Sequence, residues 1–328
     1  MIKNKKIILV FLVFFIALCG SVFWYFNKYD TPDYEHIGFF PTTKLKPEWE
    51  RKIDTEQVLK IGVITDTHVR PSRVDKTNKF NDAERALFSE DLTSLQKFNA
   101  RMKEFSPEMI VHLGDVIEGT GDEDFIGIMG IKLVRGELQK SGVPIYWALG
   151  NHELRSVTKE QYKKTLEIDN LDYFIDNGDY RLIFLDANYT KNNDEIAPGK
   201  NYVAGHLHPD TLSWLEEKLK TNKRVFIFMH QAAFDRVLKG ESKYLKESID
   251  NANDIRVLME KYNVDAIFNG HIEVRLHEEV NGVKYFPLIG AEKSNIHSQA
   301  YHAITIYGGE PIVETYYTDK ESGEEKSL

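Results

Sequence analysis

The sequence predicts an α/β domain of two packed mixed β-sheets flanked by helices, with one membrane-spanning helix ahead of it. Three observations carry that expectation. From Val58 onward, short apolar and β-branched runs alternate with amphipathic helical patterns, as strands and helices do in α/β domains. Asn-Gly pairs and late strand-like runs interrupt the alternation, which one purely parallel sheet would not produce. Ahead of all this, Ile7 to Phe26 runs without a charged residue.

That first run, as a helix rising ~1.5 Å per residue, spans ~30 Å, the thickness of a bilayer core. Lys3, Lys5 and Lys6 precede it and only Lys28 closely follows, so residues 1–6 are expected in the cytoplasm and the remainder outside the cell. Two alternatives stay open. Ile16-Ala17-Leu18-Cys19 resembles a lipoprotein box, although Leu18 stands where a small residue is wanted. A cleaved signal would need small side chains where Ser21-Val22-Phe23-Trp24-Tyr25-Phe26 is bulky. Residues 27–56, with Pro32, Pro41 and Pro47 and no sustained period, read as a tether.

The domain is expected over residues 57–318, with 319–328 as a polar tail. Its strand-like runs are Leu59–Thr65, Met109–Leu113, Ile145–Leu149, Leu182–Leu185, Val225–Met229 and Ala266–Asn269. Helical patterns fall at Leu92–Phe105, Ile126–Lys140, Lys159–Glu167, Asp210–Lys220 and Asn253–Tyr262. Asn177-Gly178 and Asn281-Gly282 mark hairpins, and Ala303–Tyr307 and Ile312–Tyr317 read as closing strands. A net charge of −9 opposes a nucleic-acid partner, which would need a basic face. It leaves a phosphate substrate open, because bound cations can supply a local positive field. Cys19 is the only cysteine, which excludes an internal disulfide and a Cys-based zinc site.

The chemistry sits where these strands end. Leu59–Thr65 runs into Asp66-Thr67-His68, and Met109–Leu113 into Gly114-Asp115. Ile145–Leu149 runs into Gly150-Asn151-His152-Glu153, Val225–Met229 into His230, and Ala266–Asn269 into Gly270-His271-Ile272-Glu273. Open α/β sheets bind ligands beyond the carboxyl ends of their strands, so five such endings point at one pocket. Carboxylate, imidazole and amide oxygen together suit intermediate divalent ions such as Mn²⁺, Fe²⁺ or Zn²⁺. A carboxylate shared by two ions can clamp both oxygens of an in-line displacement.

These motifs, in this order, resemble the calcineurin-like metallophosphoesterases, whose pattern is D-x-H, G-D, G-N-H-D/E, a lone His, then G-H-x-H. The resemblance covers the chain after residue 57 and implies a four-layer αββα sandwich with two divalent metal ions. Carried over, it gives Asp66, His68 and Asp115 to the first metal and Asp115, Asn151, His230 and His271 to the second. His152 is implied at the leaving oxygen as proton donor or charge stabiliser, and metal-bound hydroxide as nucleophile. The implied substrate is a phosphate monoester or diester, a small molecule or an envelope phosphoester, and the implied activity a membrane-anchored phosphoesterase or phosphodiesterase.

One position departs from the pattern. Glu273 stands where the family's last His ligates the first metal. It can ligate through oxygen, favouring manganese, or support the site from behind, or mark a degenerate site. The last case would make the protein a non-catalytic phosphate-binding or scaffold protein. A literal G-H-x-H occurs at Gly205-His206-Leu207-His208, but it follows no apolar strand and breaks the order, so His206 and His208 read as loop residues helping to cap the next helix. His112 reads as a buried, satisfied histidine, while His277, His297 and His302 have no motif context. Glu118 and Glu153 read equally as supports of the ligands and as solvated loop carboxylates. Residues 69–90 and 231–250 are expected to border the pocket.

Overall fold

The computed structural model describes residues 34–38, 49, 55–69, 92–119, 124–199, 205–238, 244–245, 248–291, 297–319 and 322–327. The Ile7–Phe26 run and most of the 69–90 insertion lie outside them. Among the described residues, no helix is long and apolar enough to cross a membrane.

Two six-stranded sheets form the body. One contains β2 (Val58–Ile64), β3 (Met109–His112), β4 (Ile145–Trp147), β13 (His297–Tyr307), β14 (Glu310–Asp319) and β15 (Glu325–Ser327), in the order β15-β14-β13-β2-β3-β4. Within it β2, β3 and β4 are parallel and the rest antiparallel. The other contains β5 (Tyr173–Asn177), β6 (Tyr180–Leu185), β7 (Arg224–Met229), β10 (Ala266–Asn269), β11 (Glu278–Val280) and β12 (Val283–Pro287), in the order β11-β12-β10-β7-β6-β5. Its four central strands are parallel and both edges antiparallel. A small sheet of β1 (Tyr34–Gly38), β8 (Asp235–Leu238) and β9 (Tyr244–Leu245) completes the strands described.

The side-chain parity of each strand explains the layers. Leu59, Ile61 and Val63 of β2 meet Leu182, Phe184, Phe226 and Phe228 between the sheets. The alternate residues of β6 and β7, Ile183, Leu185, Ile227 and Met229, face α4 (Pro209–Leu219) and α5 (Ala252–Lys261). Ile64 and Ile110 pack under α1 (Thr93–Phe105) and α2 (Asp124–Leu138), beside Tyr162 of α3 (Lys159–Leu166). Both faces of the central strands are therefore buried, which is why they read as continuous apolar runs instead of alternating. The register also aligns an aromatic ladder on one inner face. Tyr173, Phe184, Phe228, Phe268 and Phe286 stand on neighbouring strands with ring centroids 4.6, 5.2, 5.1 and 5.1 Å apart.

The expected helices all form, within two residues of the positions read from sequence. Three details differ. The first hairpin turns on Gly178-Asp179, because Asn177 pairs with Tyr180 and Gly178 takes the positive φ of 54°. The second turns on Asn281-Gly282 as expected, both residues at positive φ between Val280 and Val283. The sheet also extends beyond residue 318: β15 pairs with β14, and Glu325 is held by Arg101 and Tyr301. Parts of the 27–56 segment dock on the body as well, through β1 on β8, the Trp49 indole on the Thr221 carbonyl (2.6 Å) and Thr55 on Asp179 (2.6 Å).

His302 of β13 gives the fold a pH dependence. It is fully buried, donates from Nε2 to the Ile289 carbonyl (3.0 Å) and accepts from Thr315 Oγ1 at Nδ1 (3.0 Å). Burial pushes it down to about 4. An unfolded imidazole titrates near ~6.5, so the unfolded chain takes up the proton first and stability is lost as pH falls through that window. Between about pH 7.5 and about pH 4.5, wild type should lose roughly 2–3 kcal/mol more than His302→Asn in denaturant titrations. Parallel pH profiles for the two proteins would refute this.

Candidate metal centre

The sheet orders bring the five strand endings together: β2, β3 and β4 are neighbours in one sheet, and β7 and β10 in the other. The loops after them interlock through backbone bonds. Asp66 N–H donates to the Gly114 carbonyl and His68 N–H to that of Asp115, both at 3.0 Å. Asp66, His68, Asp115, His271 and Glu273 all hold φ between 42° and 66°. Non-glycine residues adopt this left-handed region at a cost of ~1–2 kcal/mol each, and such strain persists where surrounding contacts over-determine it, commonly at functional sites.

Glycine enters this arrangement in two different ways. Gly114 uses its freedom at φ 94°. Gly150 provides space, since a Cβ there would land on the backbone nitrogen and Oδ1 of Asp115. Gly114 thus serves the turn itself, and Gly150 the close approach of the two loops.

Every sequence-derived site residue lies in this pocket. Asp66, His68 and Glu273 form one group able to hold a metal ion, and Asp115, His230 and His271 another; His68, Asp115 and His152 form a third. His68 Nε2 stands 3.8 Å from Asp66 Oδ1, 3.7 Å from Asp115 Oδ2 and 3.7 Å from Glu273 Oε1. His230 Nε2 stands 3.1 Å from Asp115 Oδ2 and 3.2 Å from Asn151 Oδ1. Asp66 is oriented by Thr65 Oγ1–H (2.6 Å) and His271 N–H (3.2 Å). His206 and His208 join none of these groups. His208 caps α4, accepting from Asp210 N–H at 3.1 Å, whereas His206 Nε2–H donates to Asn193 Oδ1 (3.1 Å) in a loop and does not cap that helix.

The electrostatics are those of a pocket rich in carboxylate. His68 is raised: burial alone would lower it, but Asp66, Glu118 and Glu273 outweigh burial. His230 is raised to about 9, burial being outweighed by Asp115. Asp115 is lowered, because His230, His68 and His152 overcome its burial. His271 faces too few anions to offset its burial and falls to about 4.

The donor set and the atoms behind it fit divalent ions. His68 Nδ1 lies 3.1 Å from Glu118 Oε2, and His230 Nδ1–H donates to the Leu113 carbonyl at 2.8 Å. In both rings Nε2 is left facing the acidic cluster, the usual back-support of a metal-binding imidazole. The family model for calcineurin-like phosphoesterases matches residues 59–274. The chain belongs to the calcineurin-like phosphoesterase family. A dimetal phosphatase from Danio rerio has a similar fold, with TM-score 0.58 and 14% identity over 82% of this chain and 98% of that one. So does GAP50, the anchor in the inner membrane complex of Plasmodium, with TM-score 0.51 and 13% identity over 83% and 88%. No curated protein matches the sequence.

In this phosphoesterase-family chain three residues support the ligands: Glu153 and Glu118, for which the sequence left two readings level, and Arg155, which it did not single out. Glu153 is fully buried and accepts from Gly150 N–H (2.9 Å), Asp115 N–H (3.2 Å), Ile117 N–H (3.2 Å) and Val116 N–H. Burial and the Asp115 charge raise it to about 7. Glu118 touches both His68 and His152. Arg155, which carries no motif signal, places Nη2 2.7 Å from His152 Nε2. A guanidinium only donates, so His152 Nε2 accepts, and its Nδ1–H donates to the Glu118 carbonyl (2.8 Å). His112 behaves as read: it accepts from Gly114 N–H, donates from Nε2 to Thr67, and is pushed by burial to about 3.

Proposed function

We propose that this domain hydrolyses phosphate esters with two divalent ions, Asp115 being shared between them. Asp66, His68, Asp115 and Glu273 would hold one ion, and Asp115, Asn151, His230 and His271 the other. The observation that carries this reading is the pair of ligand groups meeting at Asp115, whose Oδ2 faces His68 on one side and His230 on the other. Bound there, the ions would supply positive charge to the phosphoryl group and a nucleophile at neutral pH. The protein's own residues orient the reaction. Asp66 and Asp115 are held by backbone donors, and Glu118 and Leu113 fix the imidazoles. His152, with Nε2 accepting from Arg155 and Nδ1–H donated to the Glu118 carbonyl, would act on the leaving oxygen only once Nε2 is released from Arg155 and protonated. The unbroken Ile7–Phe26 run supports attachment of the domain to the outer face of the cell membrane.

Glu273 decides between this reading and a non-catalytic one. Its Oε1 shares a ligand group with Asp66 and His68, which favours direct ligation. Metal content and turnover of p-nitrophenyl phosphate and its bis-ester should be measured for wild type, Glu273→Ala and Glu273→His across Mn²⁺, Fe²⁺ and Zn²⁺. Wild type should hold two ions per chain and turn over at least one ester. The alanine variant should weaken one ion only, and the histidine variant should shift preference from Mn²⁺ towards Zn²⁺ or Fe²⁺. Fewer than two ions with no turnover would leave a phosphate-binding or scaffold protein. An unchanged metal ranking in both variants would remove Glu273 from the ligands.

A further inference from the structure

Arg155 lies beside the metal centre with no role in the ligand pattern. Its Nη1 reaches Glu118 Oε1 (3.3 Å) and the Glu118 carbonyl (3.4 Å), and Nη2 donates to His152 Nε2 (2.7 Å). The side chain is 18% exposed, so the guanidinium is held by these partners on a side chain that is not sealed from solvent. His152 Nε2 in turn stands 3.8 Å from Asp115 Oδ2. These two distances put the guanidinium nitrogen no farther than about 6.5 Å from the shared carboxylate.

We propose that Arg155 is a phosphate anchor that makes the site select monoesters over diesters. The inference rests on the hydrolase reading above and deepens it. Asp66, Asp115, Glu118 and Glu273 turn four carboxylates to the ligand cluster, which two divalent ions would balance, while Glu153 is turned to the backbone N–H groups behind it. Arg155 then supplies the surplus positive charge. A phosphomonoester is largely dianionic at neutral pH, whereas a diester carries one negative charge and replaces one anionic oxygen by an ester oxygen. A fixed guanidinium therefore discriminates by charge and by hydrogen bonding, since its planar donors suit anionic phosphoryl oxygens. Nη2 bears two hydrogens, of which His152 Nε2 takes one. Glu118 and His152 set the guanidinium's position without removing its charge from the site.

Arg155→Met and Arg155→Lys should be compared with wild type for metal content, for kcat and KM on p-nitrophenyl phosphate and bis-p-nitrophenyl phosphate, and for competitive inhibition by inorganic phosphate. Metal content should be unchanged. Arg155→Met should lower kcat/KM for the monoester by about 10–100-fold, lower that for the diester several-fold less, and raise the phosphate inhibition constant. Added guanidinium at millimolar concentration should partly restore monoester turnover in the Met variant, a response that a purely structural role would not give. Arg155→Lys should retain part of the monoester preference. Equal losses on both esters with unchanged phosphate inhibition would overturn the anchor, and so would loss of metal in both variants. The hydrolase reading fails separately, by a metal-loaded wild type that turns over neither ester. In that case phosphate titration calorimetry on wild type and Arg155→Met still decides the anchor, because only the wild type should bind phosphate tightly.

Discussion

Asp115→Asn should remove at least one ion per chain and lower turnover by ~10²–10³-fold or more, the scale on which a single preorganised charge in an active site counts. Asn preserves the shape of Asp, so the change isolates charge. Asp115 is only 2% exposed, its Oδ1 accepts from His152 N–H at 2.9 Å, and its Oδ2 faces Nε2 of His230, His68 and His152 at 3.1, 3.7 and 3.8 Å. An amide can keep the bond to His152 N–H through its oxygen. It then turns an NH₂ group to the side where three imidazoles and two cations need an anion. The fold should survive, because the backbone bonds that interlock the loops do not involve this side chain. The check is metal analysis by mass spectrometry beside circular dichroism and turnover. A folded variant with two ions and near-normal kcat would remove Asp115 from the centre of the site.

The ligand positions were legible because their residue types follow apolar strands, and the carboxyl ends of strands in both sheets open onto one rim. The layer structure was legible for a related reason: runs buried on both faces, such as Tyr180–Leu185, show neither a helical period nor alternation. The order of strands was not legible. Pairing β13 beside β2 sets Ile304 and Ile306 opposite Ile61 and Leu59 within one sheet, a ladder between segments far apart in the chain that local sequence does not encode. Turn placement failed by one residue at Gly178, where Gln57 bonds to Asn177 and to the Asp179 N–H and draws the strand one residue further. Residues 27–56 read as a tether because docking by Trp49 and Thr55 relies on partners far along the chain. Arg155 was invisible for the same reason, since a lone arginine on a 3₁₀ turn carries no pattern until Glu118 and His152 stand beside it.

Glu153 is the residue where sequence left two readings level, and the structure makes its removal costly. Its carboxylate is completely buried, and both oxygens face backbone donors: Oε1 those of Val116 and Ile117, Oε2 those of Asp115 and Gly150. This ties the β3 ending to the β4 ending and holds Asp115 at its unfavourable φ of 50°. Glu153→Gln keeps the volume but exchanges one acceptor oxygen for an NH₂ donor, so two buried N–H groups would face a donor instead. At ~1–3 kcal/mol for each unsatisfied buried group, the loss should be roughly 2–5 kcal/mol. In a domain of this size that corresponds to a fall of about 5–15 °C in Tm. Because the same bonds set the Asp115 backbone, metal affinity should fall by about 10–100-fold as well, the usual cost of removing a group that orients a ligand. Glu153→Asp should do no better, since the shorter side chain keeps the charge but cannot span both loops. Calorimetric melting of metal-free and metal-loaded protein separates the two losses: the metal-free comparison reads the backbone bonds, and the extra shift on loading reads the affinity. Wild-type Tm in both states for Glu153→Gln would mean that the four backbone bonds do not hold this site together.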